Sequence, residues 1–326
     1  MTTIAKPMVL PKRSLLSRWR RHRIAYAFIA PAVFIMLIIH IIPSLQAIYM
    51  SFLDLRTQNL LEYLGAPFVG LQHYQNIIAS LFGSGTPLIT NLGQSLENTF
   101  WYTAWVQTAT LVFGTVLALL LNREFRGRGI ARTLTMLPWV VPTFVTGIIW
   151  NFIFLQQGGL ANRILVNWLH VADQPITWLI NENARAAFII ATVWRGLPYA
   201  TVTLLSGMQV IPADLYEAAS IDGASSWQRF RYITLPLLKP LMVVITMFGV
   251  IFNFFGFGAY NIGVTLFGTD NLGRYVNLIT INIVRQTFNN QLYGYGAAAS
   301  VLLMLLAFVY VGLWYRVFRS SLRTEE

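Results

Sequence analysis

The side chains best placed for recognition chemistry stand inside apolar runs. Arg195 lies about ten residues into one of them, in Trp194-Arg-Gly-Leu-Pro-Tyr199. A cation at that depth must face a partner, backbone carbonyls or a wet cavity. Pro198 lacks the N–H that a helix needs and so frees a carbonyl nearby, which suits a cavity-lining break. Trp194 and Tyr199 carry aromatic faces that stack on sugar rings, although packing between helices uses the same faces. A second constellation is Thr246, Gly249, Asn253, Gly256 and Tyr260, whose spacings of three and four put small and polar groups on one helical face. Phe248, Ile251, Phe255 and Ile262 fall elsewhere around that helix. Close packing is the default use of Gly249 and Gly256. Asn253 and Tyr260, with Thr246 on the same face, are candidate contacts for a polar ligand, because an amide inside a span is costly in lipid and suits hydroxyl groups.

Covalent chemistry has no comparable support. The lysines are Lys6, Lys12 and Lys239, and none follows the glycine pattern that cradles phosphate, so this chain has no P-loop of its own. His22, His40, His73 and His170 are scattered, without metal-ligand spacing, and no metal site is expected. No Asp or Glu falls within an apolar run, which argues against a proton-relay secondary transporter. With no Cys there is no disulfide and no thiol nucleophile. These absences describe a non-enzymatic subunit that binds no cofactor itself.

The elements that position these residues follow from composition. The 326 residues are 56% hydrophobic and 11% charged, with a mean hydropathy of +0.58, which is the signature of a polytopic membrane protein. Six apolar runs are long enough to span: 24–53, 98–121, 134–155, 186–208, 241–260 and 297–317. Lipid leaves backbone groups nothing else to bond to, so each is a helix and the fold class is all-α integral membrane. The run 275–284 is under half the usual length and reads as an interfacial or re-entrant piece. Gly294, Gly296, Ala297, Ala298, Ala299 and Ser300 mark the start of the sixth span as tightly packed. The outer loops 54–97 and 156–185 are expected to carry short surface helices.

Charge sets the orientation. The net charge of +11 does not belong to a nucleic-acid-binding domain, since 17 of the 23 Lys and Arg flank the spans on one side: the tail 1–23, residues 122–133, the loop 211–240 and the carboxyl end, whose tail is 319–326. Under the positive-inside rule both termini and the 211–240 loop are cytosolic. The amino-terminal span is too long for a cleaved signal core and reads as retained.

The 211–240 loop is the polar centre of the chain. Asp214 with Glu217 and Ser225 with Gln228 read as capping boxes of two short helices, and Gly223 supplies a break between them. Leu215, Ala218 and Ala219 share a face, the small residues Ala218, Ala219, Gly223 and Ala224 admit close approach, and Trp227 and Phe230 are costly to leave in water. On geometry alone this is an amphipathic pair of helices, equally suited to docking or to simply joining two spans.

The run Pro212-Ala-Asp-Leu-Tyr-Glu-Ala-Ala-Ser-Ile-Asp-Gly-Ala224, with Ile233-Thr-Leu-Pro236 behind it, resembles the EAA loop of membrane permeases in ATP-binding-cassette importers. It is similar in particular to the sugar-permease branch, in the member of the pair with the longer amino-terminal region, and the likeness extends from Ala30-Pro31 to the last span. The resemblance implies a multi-pass subunit of a bacterial or archaeal inner membrane. It implies pairing with a second permease subunit, two ATPase subunits that hold ATP and Mg, and an extracytoplasmic solute-binding protein. It also implies that Glu217, Ala218, Ala219, Asp222, Gly223 and Ala224 couple the chain to the ATPase. Arg195, Tyr199, Thr246, Asn253 and Tyr260 are then expected along the path of a sugar. The loop Gly268-Thr-Asp-Asn-Leu-Gly-Arg274 departs from the Gly-Gly-Gly-Pro that the family often has there. Importers of other solutes, such as an amino acid or glycerol phosphate, an ATPase-independent transporter and a membrane scaffold are the alternatives.

Overall fold

The structure, a computed structural model, describes residues 15–82, 92–268 and 273–322, with side chains from 23 to 320. Most of the Gly268–Arg274 loop, the start of the basic tail and the last four residues lie outside the described residues. Within them the chain is helical, with no strand beyond one bridge between Leu53 and Phe68.

α1 (Leu15–Met36) runs through a π turn (Leu37–Ile41) into α2 (Ile42–Met50), and together they form an apolar helix from Arg23 to Met50 whose surface is almost wholly unburied. Two short 3-10 turns (Thr57–Asn59 and Tyr63–Gly65) and α3 (Gln72–Leu81) follow, as expected of the first outer loop. α4 (Leu92–Asn122) is the second long span. α5 (Arg128–Val140) and α6 (Thr143–Ile153) come next, then α7 (Leu160–Asn162) with its π turn (Arg163–Trp168), and α8 (Asn183–Val210). The polar hairpin is α9 (Ala213–Ile221) and α10 (Ser226–Arg229), and a π turn (Phe230–Thr234) leads into α11 (Leu235–Val250). A second π turn (Ile251–Phe255) ends that span. α12 (Phe257–Phe267), α13 (Gly273–Val276), α14 (Ile279–Val284) with a further π turn (Arg285–Asn289), and α15 (Tyr293–Leu322) complete the chain.

Two of the expected spans are not straight helices. The third, expected over 134–155, is broken: α5 and α6 meet at 102°. Pro142 has no N–H to continue α5 and forces Val141 into an extended conformation, with ψ of 127°. The fifth, expected over 241–260, runs instead from Ser226 to Phe255 and stops at Gly256, whose ψ of 159° is extended. Among the described residues five helices are therefore long and apolar enough to cross, and the bent pair makes six when it is taken as one span.

That the bent pair crosses follows from how α4 and α8 pack. Tyr102 OH bonds Thr192 Oγ1 at 2.8 Å, a Cβ on Gly196 would face Thr110 Oγ1 at 3.5 Å, and one on Gly114 would face Ala200 Cβ at 2.9 Å. The numbers rise together, so α4 and α8 are parallel. A chain leaving the far end of α4 must return to the near end before starting α8, and α5 with α6 is the segment that returns it.

The core forms where α4, α8 and α12 meet the α13–α14 segment, around Tyr102, Phe188, Ile262, Leu266 and Ile281. The 275–284 run is thus part of the core, with Ile279 to Ile283 all buried. Of the small residues opening α15, Gly294, Gly296, Ala298 and Ala299 are buried as expected, and a Cβ on Gly294 would overlap the carbonyl oxygen of Leu53, whereas Ala297 is half-buried and Ser300 exposed.

Gly147 sets the approach of α6 to α12. A Cβ there would overlap Thr265 Oγ1 and lie 2.7 Å from Ile262 O, and the backbone oxygen has no room to yield. Gly147→Ala is expected to destabilise the protein by about 1–3 kcal/mol, the usual range for overpacking. Gly312→Ala, with nothing within 4 Å of its Cβ position inside α15, should leave the thermal midpoint in detergent unchanged or raise it slightly.

Candidate functional site

The polar hairpin is held together from its own residues. Pro212 precedes α9 as its cap, so the helix starts earlier than the Asp214–Glu217 pattern implies, and no side chain caps it. That expected capping box is absent: Asp214 sits in the first turn, where a carboxylate meets the positive end of the helix, and Glu217 is exposed. The second box is present, with Ser225 N donating to Gln228 Oε1 at 2.7 Å and Gln228 N to Ser225 Oγ at 3.3 Å. Between them Gly223 takes a φ of +77°. Ala224 N then donates to Ala219 O at 2.9 Å and Gly223 N to Ser220 O at 3.1 Å, which closes α9 with a Schellman motif.

Side chains tie the hairpin to its surroundings. The Arg229 guanidinium donates to Ser220 Oγ at 2.7 Å and Ser226 Oγ at 3.3 Å, and Tyr216 OH lies 2.9 Å from Thr234 Oγ1 at the head of α11. Ala218, Asp222 and Gly223 are exposed, while Ala219 and Ala224 are half-buried. Ile221 (87% exposed) and Trp227 (68%) leave an apolar surface on this otherwise polar segment.

The residues expected along a sugar path sit in different surroundings. Arg195 is half-buried on α8, and its Nε is buried without a partner. Trp194 packs edge-on against Trp150, with ring centroids 5.9 Å apart, while Tyr199 is exposed one turn further on. Thr246 spends its hydroxyl proton on Met242 O at 2.7 Å. Asn253 is half-buried in the π turn 251–255, an irregularity often found at functional sites. Tyr260 does not share their helix, because the chain breaks at Gly256, and it packs instead against the core from α12. Gly249 is a packing residue: its missing Cβ leaves a notch filled by the Gln107 carboxamide.

Two polar groups escaped the sequence reading. One is a row on α4 comprising Thr103, Gln107 and Thr110, all buried, whose Thr103 Oγ1, Gln107 Nε2 and Thr110 Oγ1 have no hydrogen-bond partner. The spacing rule that singled out Thr246, Gly249 and Asn253 would have found it. The other is a clasp at the opposite end of the molecule from the hairpin. Asn98 Nδ2 donates to Arg274 O at 2.8 Å and to Asn277 O at 3.3 Å, and Asn98 Oδ1 accepts from Arg185 Nη2 at 2.9 Å. The Arg185 guanidinium lies 4.9 Å from the Tyr275 ring centroid, and Tyr275 OH donates to Glu182 Oε1 at 3.4 Å. No local pattern announces these contacts, which join residues far apart in the chain.

A cavity of about 490 Å³ opens beside the clasp, lined in part by Trp101, Trp105 and Arg185. A larger one of about 670 Å³ lies between α2, α14 and α15. Neither contains any of the five expected pathway residues. No cluster of His, Asp or Glu suited to a metal occurs among the described residues.

Comparison with known proteins agrees with this architecture. The trehalose/maltose transport system permease protein MalF of Thermococcus litoralis is 30% identical over 311 residues, 93% of this chain and 96% of that protein. The trehalose transport system permease protein SugA of Mycobacterium tuberculosis is 30% identical over 302 residues, 91% of each chain. Among solved structures, a chain of a bacterial alginate ABC transporter, crystallised with an alginate pentasaccharide-bound periplasmic protein, superposes with a TM-score of 0.77 over 96% of this chain and all of that one. At 20% identity that likeness is one of fold. Residues 110–324 match the family model described as binding-protein-dependent transport system inner membrane component. The chain therefore belongs to that family, as a multi-pass transport subunit of the inner membrane.

Proposed function

We propose that this chain is the permease subunit of an ATP-driven carbohydrate importer, forming half of the pathway beside a second permease subunit. The observation that carries the reading is the nearly end-to-end match to permeases named for trehalose and maltose transport. Two ATPase subunits hold ATP and Mg, and an extracytoplasmic solute-binding protein delivers the sugar. Both termini and the α9–α10 hairpin face the cytosol, where the basic residues gather. Glu217, Ala218, Ala219, Asp222, Gly223 and Ala224 form the surface seated on the ATPase. Closure of the ATPases moves this internally bonded hairpin as one piece, and the Tyr216–Thr234 contact passes the movement to α11. Tyr199 and Asn253 meet sugar hydroxyls, with Arg195, Thr246 and Tyr260 bordering the path.

The complex purified from its own cells through a tag on this chain is expected to contain an ATPase and to carry radiolabelled trehalose or maltose in proteoliposomes with its binding protein. Capture of no ATPase would refute the reading. In the same assay Tyr199→Ala and Asn253→Ala are each expected to raise the half-saturating sugar concentration about tenfold, the effect of one lost hydrogen bond to a polar ligand, with assembly intact. Unchanged uptake would remove them from the path. The unpartnered Arg195 Nε favours a second reading, an anionic solute such as glycerol phosphate. That reading requires Arg195→Gln to abolish uptake of the anion, and it fails if only neutral sugars are carried.

A further inference from the structure

The buried row on α4 faces the span that carries Asn253. Leu238, near the start of α11, shares a cluster with Leu121 at the end of α4, while Gly249 further along α11 receives Gln107. The two helices are therefore antiparallel. Stepping one turn either way from the Gly249–Gln107 contact sets Asn253 level with Thr103 and Thr246 level with Thr110. On the other side, Thr110 lies against Gly196, next to Arg195. The row thus occupies the seam between the two spans, α8 and α11, that hold the expected pathway residues.

Three of its buried polar atoms, Thr103 Oγ1, Gln107 Nε2 and Thr110 Oγ1, have no hydrogen-bond partner. Polar side chains that join helices within a membrane do so by bonding across the contact, and buried polar atoms without a partner are rare enough to need a reason. Thr103 (4% exposed), Gln107 (6%) and Thr110 (8%) all carry such an atom. The row is uncharged and combines an amide donor with hydroxyls that both donate and accept, which matches the alcohol groups of a neutral carbohydrate better than any ion.

We propose that Thr103, Gln107 and Thr110 form a hydroxyl-binding row on α4 that becomes a wall of the solute pathway when α11 separates from α4. The inference rests on the carbohydrate-importer reading and adds a third span to its pathway. Gly249 has a defined part in it: its notch receives the Gln107 carboxamide in the closed seam and releases it to the solute in the open one.

The chain contains no Cys, so a single introduced thiol reports on its own position. In proteoliposomes of the whole complex, Thr103→Cys and Gln107→Cys are expected to react with a small, water-soluble methanethiosulfonate at least about fivefold faster during ATP turnover with the loaded binding protein than at rest. Absence of any turnover-dependent reaction at both positions overturns the proposal. Asn253→Cys, run in parallel, separates the failures: reaction there alone means that the α4 row is helix packing, whereas no reaction at any of the three counts against the pathway reading as well. Gln107→Leu, which keeps the notch filled, gives an independent measure. It is expected to raise the half-saturating trehalose or maltose concentration about tenfold with a much smaller change in maximal rate, and an unchanged half-saturating concentration overturns the proposal.

Discussion

Gly223→Val is expected to lower ATP-driven sugar uptake by about tenfold or more, with the assembled complex still present in the membrane. An L-residue in the left-handed region costs roughly 1–2 kcal/mol, and a β-branched one fits it worst, which is about a tenfold shift in the hairpin's conformational equilibrium. The strain is local, because nothing lies within 4 Å of the Cβ position at Gly223 and its φ is +77°. What is lost is the closure of α9 through Ala224 N to Ala219 O and Gly223 N to Ser220 O. The exposed surface of α9 then no longer has a single orientation to present to the ATPase. Gly223→Asn, which enters the left-handed region readily, should retain most of the activity. Uptake and ATP hydrolysis measured side by side in proteoliposomes check the result. A Gly223→Val complex that transports at the wild-type rate would exclude the hairpin as the coupling element.

Asn98→Ala is expected to be the most destabilising single change outside the hydrophobic core. One carboxamide makes three hydrogen bonds, to two backbone carbonyls of the 274–277 segment and from the Arg185 guanidinium. Truncation deprives all three partners of the amide in a part-buried contact, and the adjacent Arg185 Nε already has no partner. With about 1 kcal/mol net for each bond and more where a charged group is left unpaired, the loss amounts to roughly 3–5 kcal/mol. Thermal unfolding in detergent reads it directly. A loss below about 1 kcal/mol would mean that water replaces the amide at no penalty and that the clasp holds nothing.

The fifth span shows how far local rules carry. Its apolar length, its helical state and the spacing of Thr246, Gly249 and Asn253 were legible, because lipid leaves a chain no choice but a helix and a helix brings every third or fourth residue to one face. The break at Gly256 is not legible there, so Tyr260 lies off the helical face that its spacing from Asn253 predicts. Prolines teach the same lesson. Pro31, Pro138, Pro198 and Pro240 lie inside continuous helices, whereas Pro142 and Pro212 each follow an extended residue where a helix ends, and at Pro142 the chain turns by 102°. Each lacks the same donor, and whether neighbouring groups re-satisfy the freed carbonyl depends on packing that no short stretch specifies.

By itself the sequence determined the all-helical membrane fold, the sided distribution of charge, the lack of a P-loop and the Ser225–Gln228 cap. Each follows from composition or from contacts within four residues, where the physics is local. Only the tertiary structure decided that α4 and α8 run parallel, that Asn98 clasps a segment 176 residues away, and that Gln107 enters the notch of Gly249 with its amide nitrogen unpaired. In a membrane span both the lipid-facing and the buried sides are apolar. Hydrophobic pattern therefore cannot say which side a polar residue meets, and that is set only when the helices pack.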